Sequence, residues 1–181
     1  MKKINDIAVF CGASSPTEPT IQAQAQALGA IMAQKSIGLI YGGAKIGVMG
    51  TVAASVLKEG GNVIGVIPYF LQTKEVAHDK LSQLIVCESM HERKTKMYEL
   101  SDAFIALPGG FGTMDELFEI LTWAQLGLHQ KPIGLLNVNG FFSPLCVMVD
   151  NMFQNGLIND KTRGLLLVED NIEALLETMN Q

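Results

Sequence analysis

Charge is what this chain has least of. Its 181 residues include 13 Lys plus Arg and 18 Asp plus Glu, so 17% are charged and the net charge is −5; an average soluble domain carries roughly 25%. A positive surplus is absent, with an isoelectric point near 5.1. That argues against binding nucleic acid through its phosphates, which needs a basic face. Long apolar runs are also lacking. Although 48% of residues are hydrophobic, Gly, Pro or a polar residue breaks every run far short of the ~20 residues of a membrane span. So apolar a chain can offset its ordering entropy, which excludes disorder. Cysteines are few and unpaired in pattern: Cys11, Cys87 and Cys146 are far apart, each inside an apolar run, with no CxxC or zinc spacing. They read as buried, reduced thiols acting as small hydrophobes. No secretory signal is recognisable near Met1-Lys2-Lys3, so the expected compartment is the cytosol. No linker, repeat or low-complexity tract divides the chain, and its length suits one domain over residues 1–181.

What is present is a regular alternation. Near-continuous apolar runs occur at Ile7–Cys11, Ile37–Tyr41, Val63–Ile67, Leu84–Cys87, Ala103–Leu107, Ile133–Leu136 and Leu165–Val168. Continuous rather than alternating runs suit parallel strands covered on both faces. Helical spacing predicts helices over Thr20–Lys35, Gly47–Lys58, Met90–Leu100, Thr113–Leu126, Pro144–Asn155 and Asn171–Asn180. This pattern implies a three-layer α/β domain with a mostly parallel sheet flanked by helices. Its ligands belong beyond the carboxyl ends of the strands.

Glycine concentrates there. Of 18 glycines, 8 (at 12, 42, 43, 47, 50, 109, 110 and 112) fall in the loops after the first, second and fifth strands. Glycine-rich turns into helix N-termini let backbone N–H groups approach an anion. They make Ser14, Gly43 and Gly109 candidate contacts for a phosphate-bearing ligand. The larger nucleotide motifs are missing: no GxGxxG occurs, since Asp115 stands where its third glycine would, and no GxxxxGK[ST]. A nucleoside monophosphate or sugar phosphate fits, with no metal and no cofactor implied. Glu116, expected in the first turn of the Thr113 helix, is the sharpest chemical candidate. Asp115 suits that helix start electrostatically, and Glu119 suits a solvated or structural role. Met90-His91-Glu92-Arg93-Lys94 opens another helix at the same edge, where Arg93 offers a planar fork for phosphate or carboxylate. His78, His91 and His129 carry no motif.

Pro108–Glu116 reads PGGFGTMDE, and PGGxGTxxE is the signature of the LOG family of cytokinin riboside 5′-monophosphate phosphoribohydrolases, often mislabelled lysine decarboxylases. The resemblance covers almost the whole chain, through CGASS at residues 11–15, YGGAKIGVMG at 41–50, MHERK at 90–94 and TWAQLGLHQKPIGLLN at 122–137. It implies a Rossmann-like fold and hydrolysis of the N-glycosidic bond of a nucleoside 5′-monophosphate. It also implies a homodimer with sites near the subunit interface. Matched by position, it implies Arg93 and Glu116 as catalytic. Lys94, Gly110, Phe111, Gly112, Thr113 and Thr122 fall on substrate-binding positions, and Glu75 matches more loosely. Departures at Val138–Phe141, Ala44 and Lys45 leave the arginine and glutamate untouched. A pyridoxal phosphate decarboxylase would need a Schiff-base lysine with supporting motifs, which Lys45 and Lys94 lack. The alternative that keeps the fold is a non-catalytic nucleotide or cofactor carrier, for which the combination of Arg93 and Glu116 has no use.

The scarcity of charge is uneven. Residues 7–57 hold only Glu18, Lys35 and Lys45, and residues 132–159 only Asp150. A helix such as Pro144–Asn155 that should meet water yet lacks charge suggests a subunit interface.

Overall fold

The computed structural model describes residues 3–72 and 80–181. Seven strands, β1 (Asp6–Phe10), β2 (Gly38–Tyr41), β3 (Val63–Pro68), β4 (Gln83–Cys87), β5 (Ala103–Ala106), β6 (Ile133–Leu136) and β7 (Leu166–Glu169), form one sheet in the order β4-β3-β2-β1-β5-β6-β7. Every strand pairing is parallel, so each apolar run found in the sequence became a strand. The helices are α1 (Pro19–Gln34), α2 (Gly47–Lys58), α3 (Met90–Leu100), α4 (Phe111–Gln125), α5 (Ser143–Gln154), α6 (Asp160–Arg163) and α7 (Ile172–Met179).

Strand alternation divides the interior into two cores, one on each face of the sheet. Ile7, Val9 and Cys11 face a core with Leu28 and Met32 of α1, Val52 and Val56 of α2, and Leu175 of α7. Ala8 and Phe10 face the other, with Met97 of α3 and Leu117 and Ile120 of α4. Two covered faces explain why the strands read as unbroken apolar runs. No side chain of α5 is fully buried, and Val147 and Met148 on it are exposed. No helix among the described residues is long and apolar enough to cross a membrane.

Two differences from the sequence reading have local causes. Helix α4 begins at Phe111, with Gly110 as its N-cap, rather than at Thr113. Glu116 therefore falls in the second turn, two residues further from the helix start than expected, and no acidic side chain lies in the first turn. The 3-10 turns Tyr69–Leu71 and Val138–Gly140 and the four-residue α6 were not anticipated, being too short to show a helical period.

Strand order reverses between β1 and β5, which pair directly. The loops leaving these neighbours diverge to opposite sides and open a crevice. The fold thereby selects two of the three glycine-rich loops as its walls.

Candidate functional site

A cavity of about 500 Å³ occupies this crevice, within the range of small-molecule sites. The β1 loop contributes Gly12 and Ser14, the β5 loop contributes Gly109 and Gly110, and α4 adds Gly112, Thr113 and Glu116. Helix α3 supplies Arg93, and α2 supplies Val48 and Met49.

The loops are fastened to one another by backbone contacts. Met49 N–H donates to the Gly12 carbonyl at 3.1 Å, tying the start of α2 to the β1 loop. Gly47, at φ +65°, lies so close to the Ala13 backbone that a Cβ there would overlap it. Both the left-handed conformation and the close approach select glycine. Helices α1, α3, α6 and α7 each open on a side-chain cap, from Glu18, Ser89, Asn159 and Asn171. Helices α2, α4 and α5 open without one; of these, α2 and α4 start at the cavity, where side chains leave their first N–H groups unclaimed. Thr113 is 2% exposed, and its Oγ1 lines this region with no hydrogen-bond partner among the described residues. A buried hydroxyl without a partner needs a reason, and a ligand in the cavity supplies one.

Arg93 and Glu116 meet at the cavity floor. They are 6% and 7% exposed, and Arg93 Nη1 lies 3.5 Å from Glu116 Oε1. Ser89 caps α3 by accepting from Glu92 N–H at 3.1 Å, which sets the helix so that Arg93 points under the sheet edge. There its Nε–H donates to the Val66 carbonyl at 3.1 Å. Cys11 lies against the pair, and burial, then the Glu116 charge, push its thiol well above the ordinary range despite Arg93. It is a neutral part of the wall.

The remaining sequence candidates divide. Lys94 is not in the cavity lining; its Nζ bridges Asp115 Oδ2 at 3.0 Å and Glu119 Oε1 at 3.1 Å. Burial opposes its charge, but hydrogen bonds and charge from both carboxylates outweigh burial and raise its pKa. This clamp joins α3 to α4 and accounts for Asp115 and Glu119. Thr122 lies further along α4, where its hydroxyl donates to the Phe118 carbonyl at 2.7 Å. Phe111 projects almost wholly into solvent at 96% exposure, and Gly43 is buried against Ile67 and Leu84, outside the cavity lining. Glu75 and His78 lie outside the described residues. The apolar lining of Cys11, Met49, Met90 and Phe141 was not foreseen, because nothing in a hydrophobic residue's identity marks it as facing a ligand. Among the described residues no group of three or more His, Cys, Asp or Glu side chains could hold a metal ion.

A seven-stranded parallel sheet with a cavity at its switch point defines a Rossmann-like α/β protein. A family model described as "possible lysine decarboxylase" matches residues 49–179. The cytokinin riboside 5′-monophosphate phosphoribohydrolase LOG7 of Arabidopsis thaliana is 41% identical over 175 residues, 97% of this chain and 81% of its own. The probable cytokinin riboside 5′-monophosphate phosphoribohydrolase LOG4 of Oryza sativa is 42% identical over 178 residues, 98% of this chain and 77% of its own. The chain belongs to the LOG family. Its fold is also similar to that of the molybdenum cofactor carrier protein of Chlamydomonas reinhardtii, with a TM-score of 0.74, 21% identity, and 98% and 99% of the two chains covered. At that identity the likeness concerns the fold alone.

Proposed function

We propose that this protein hydrolyses the N-glycosidic bond of a nucleoside 5′-monophosphate, AMP or a cytokinin riboside 5′-monophosphate, releasing free base and ribose 5-phosphate. The observation that carries this reading is the buried Arg93–Glu116 pair facing the cavity. Membership of a family whose named relatives are phosphoribohydrolases supports it.

The chemistry follows from what the cavity offers. The phosphate would meet the unclaimed N–H groups at the start of α4 and the Thr113 hydroxyl. Fixing that remote group aligns the ribose over Glu116 and turns binding energy into positioning. As the C1′–N bond breaks, its electron pair leaves with the base and positive charge builds on the ribosyl ring. The Glu116 carboxylate stabilises that charge and holds the attacking water. The water oxygen bonds to C1′, and the proton it sheds balances the departing base. Arg93 orients Glu116 and the substrate.

Exposed apolar residues on α5 and nearby, Val147, Met148, Leu126, Leu128 and Leu157, support a homodimer, which light scattering of the purified protein would test. The acidic charge supports a protein without nucleic-acid partners, and the three free thiols support a cytoplasmic location.

Chromatography of AMP and its N6-substituted analogues after incubation with the protein tests the activity. Free base is expected. About 10²–10⁴-fold less of it is expected from Glu116→Gln, and about 10²–10³-fold less from Arg93→Ala. Binding of AMP without any base release would identify a carrier instead, and near-normal turnover by either variant would remove that residue from the mechanism.

A further inference from the structure

Gly42, the first residue after β2, stands directly against the tip of Arg93. A Cβ at this position would overlap Arg93 Nη2 and would lie 3.2 Å from its Cζ and 2.7 Å from Met49 Sδ. Conformation does not demand glycine here. The glycines with positive φ are Gly43, Gly47, Gly60, Gly127, Gly140 and Gly156, so an L side chain is compatible with the backbone at 42. The requirement is one of space, and the group needing that space is the guanidinium.

The guanidinium cannot yield and keep its contacts. Its Nε–H is held by the Val66 carbonyl at 3.1 Å, and its Nη1 faces Glu116 Oε1 at 3.5 Å and Met90 Sδ at 3.9 Å. The residue is 6% exposed, so the planar fork is bounded on several sides. Yet it ends a flexible side chain, which can leave its slot without unfolding the strands around it. A methyl group at 42 would therefore displace the arginine tip from Glu116 while largely sparing the fold.

We propose that Gly42 is a positioning residue for the reaction, keeping open the slot in which Arg93 is held against Glu116. This rests on the assignment of Arg93 and Glu116 to hydrolysis. Gly42 is absent from the cavity lining, so its effect reaches the substrate through its neighbours there, Arg93 first and Met49 second. Misplacing a catalytic group by about 1 Å costs on the order of 10²-fold. Gly42→Ala should therefore lower kcat for base release from AMP by about 10²-fold, with KM within about threefold of wild type because the phosphate contacts remain.

A double-mutant cycle tests this, measuring kcat, KM and thermal unfolding for wild type, Gly42→Ala, Arg93→Ala and the double variant. In the Arg93→Ala background no guanidinium remains to displace, so Gly42→Ala should cost less than about twofold more in turnover, and any Tm loss seen in the single variant should vanish. Three results would overturn the proposal: kcat of Gly42→Ala within about threefold of wild type, equal losses in both backgrounds, or recovery of kcat in Gly42→Ala/Met49→Ala, which would make the thioether the sensitive neighbour. If wild type releases no base from any nucleotide tried, the hydrolase reading fails, and the Tm coupling between positions 42 and 93 still decides the steric claim. If Gly42→Ala does not fold, the double variant should fold, and its failure to do so is equally decisive against the slot.

Discussion

Two polar clusters among the described residues, one around the Arg93–Glu116 pair and one around His129, differ in what they leave unfinished. At the opposite side of the second core, His129 Nε2–H donates to the Ile120 carbonyl at 3.0 Å and its Nδ1 accepts from Lys131 N–H at 3.1 Å. Lys131 Nζ donates to the Tyr98 carbonyl at 2.6 Å and sits 3.9 Å over the Tyr98 ring. That ring stacks on Phe104. A hollow of about 540 Å³ lies beside this cluster, so it matches the candidate site in volume. It does not match it in bonding. The buried side-chain atoms without a partner among the described residues are Tyr41 Oη, Thr113 Oγ1 and Glu119 Oε2. They lie at the carboxyl end of β2 and along α4, none in the His129 cluster. One cluster is complete without a ligand and holds the fold together. In the other, the Thr113 hydroxyl lines the cavity without a partner among the described residues, hydrogen-bonding capacity that a ligand can use.

Exchanging variants between the clusters gives the sharpest contrast. Glu116→Gln should cost about 10²–10⁴-fold in kcat with little change in Tm, since the amide keeps the shape. His129→Leu should do the reverse. It orphans the Ile120 carbonyl and the Lys131 N–H, each costing about 1–3 kcal/mol, while turnover per folded molecule stays near wild type. Base-release assays alongside thermal melts read both, and a His129→Leu protein that folds well yet has lost turnover would erase the distinction.

Thr113→Val comes next. It removes the unpartnered hydroxyl and keeps the shape, so KM for AMP should rise about tenfold, the loss of one hydrogen bond to a charged group. Its Tm should hold or rise by a degree or two, because an unsatisfied buried polar atom is destabilising. A clear fall in Tm would show that the hydroxyl already serves the fold.

The smallest effect is in pH. One His129 nitrogen faces a carbonyl and the other an N–H, so only the neutral ring satisfies both. Burial lowers its pKa first, the Lys131 charge lowers it further, and the Ile120 hydrogen bond opposes them. The unfolded chain then takes up this proton before the folded one does. Stability should hold above about pH 6.5, the ordinary imidazole value, and decline as pH falls from there toward the lower folded value. Urea melts across this window should show a shallower slope in His129→Gln; an unchanged slope would place the titrating group elsewhere.

The strands and most helices were legible from the sequence, because burial on both faces of a parallel sheet forces unbroken apolar runs such as Ile7–Cys11. The glycine loops were legible for a related reason. Backbone that must approach a ligand or another loop leaves no room for Cβ, and Gly47 against Ala13 is the observed case. Position along a helix was less legible. The Gly110 cap moved the start of α4 back to Phe111, and no periodicity in apolar residues marks where a glycine cap begins. Adjacent residues also parted company: Arg93 and Lys94 read as one basic pair, yet a rotation of about 100° per residue sent one under the sheet edge and the other to a clamp on α4.

The sequence by itself determined the layers and the edge at which chemistry would lie, since hydrophobic period and glycine placement are local properties of the chain. It also placed Arg93 and Glu116 on helices that open at that edge. Only the tertiary structure decided that these two meet at 3.5 Å, that Thr113 Oγ1 is left unpartnered, and that Gly42 abuts a guanidinium 51 positions away in the chain. Such contacts depend on which helix crosses which strand end, and no local pattern of residues encodes a distance between segments that only the folded sheet brings together.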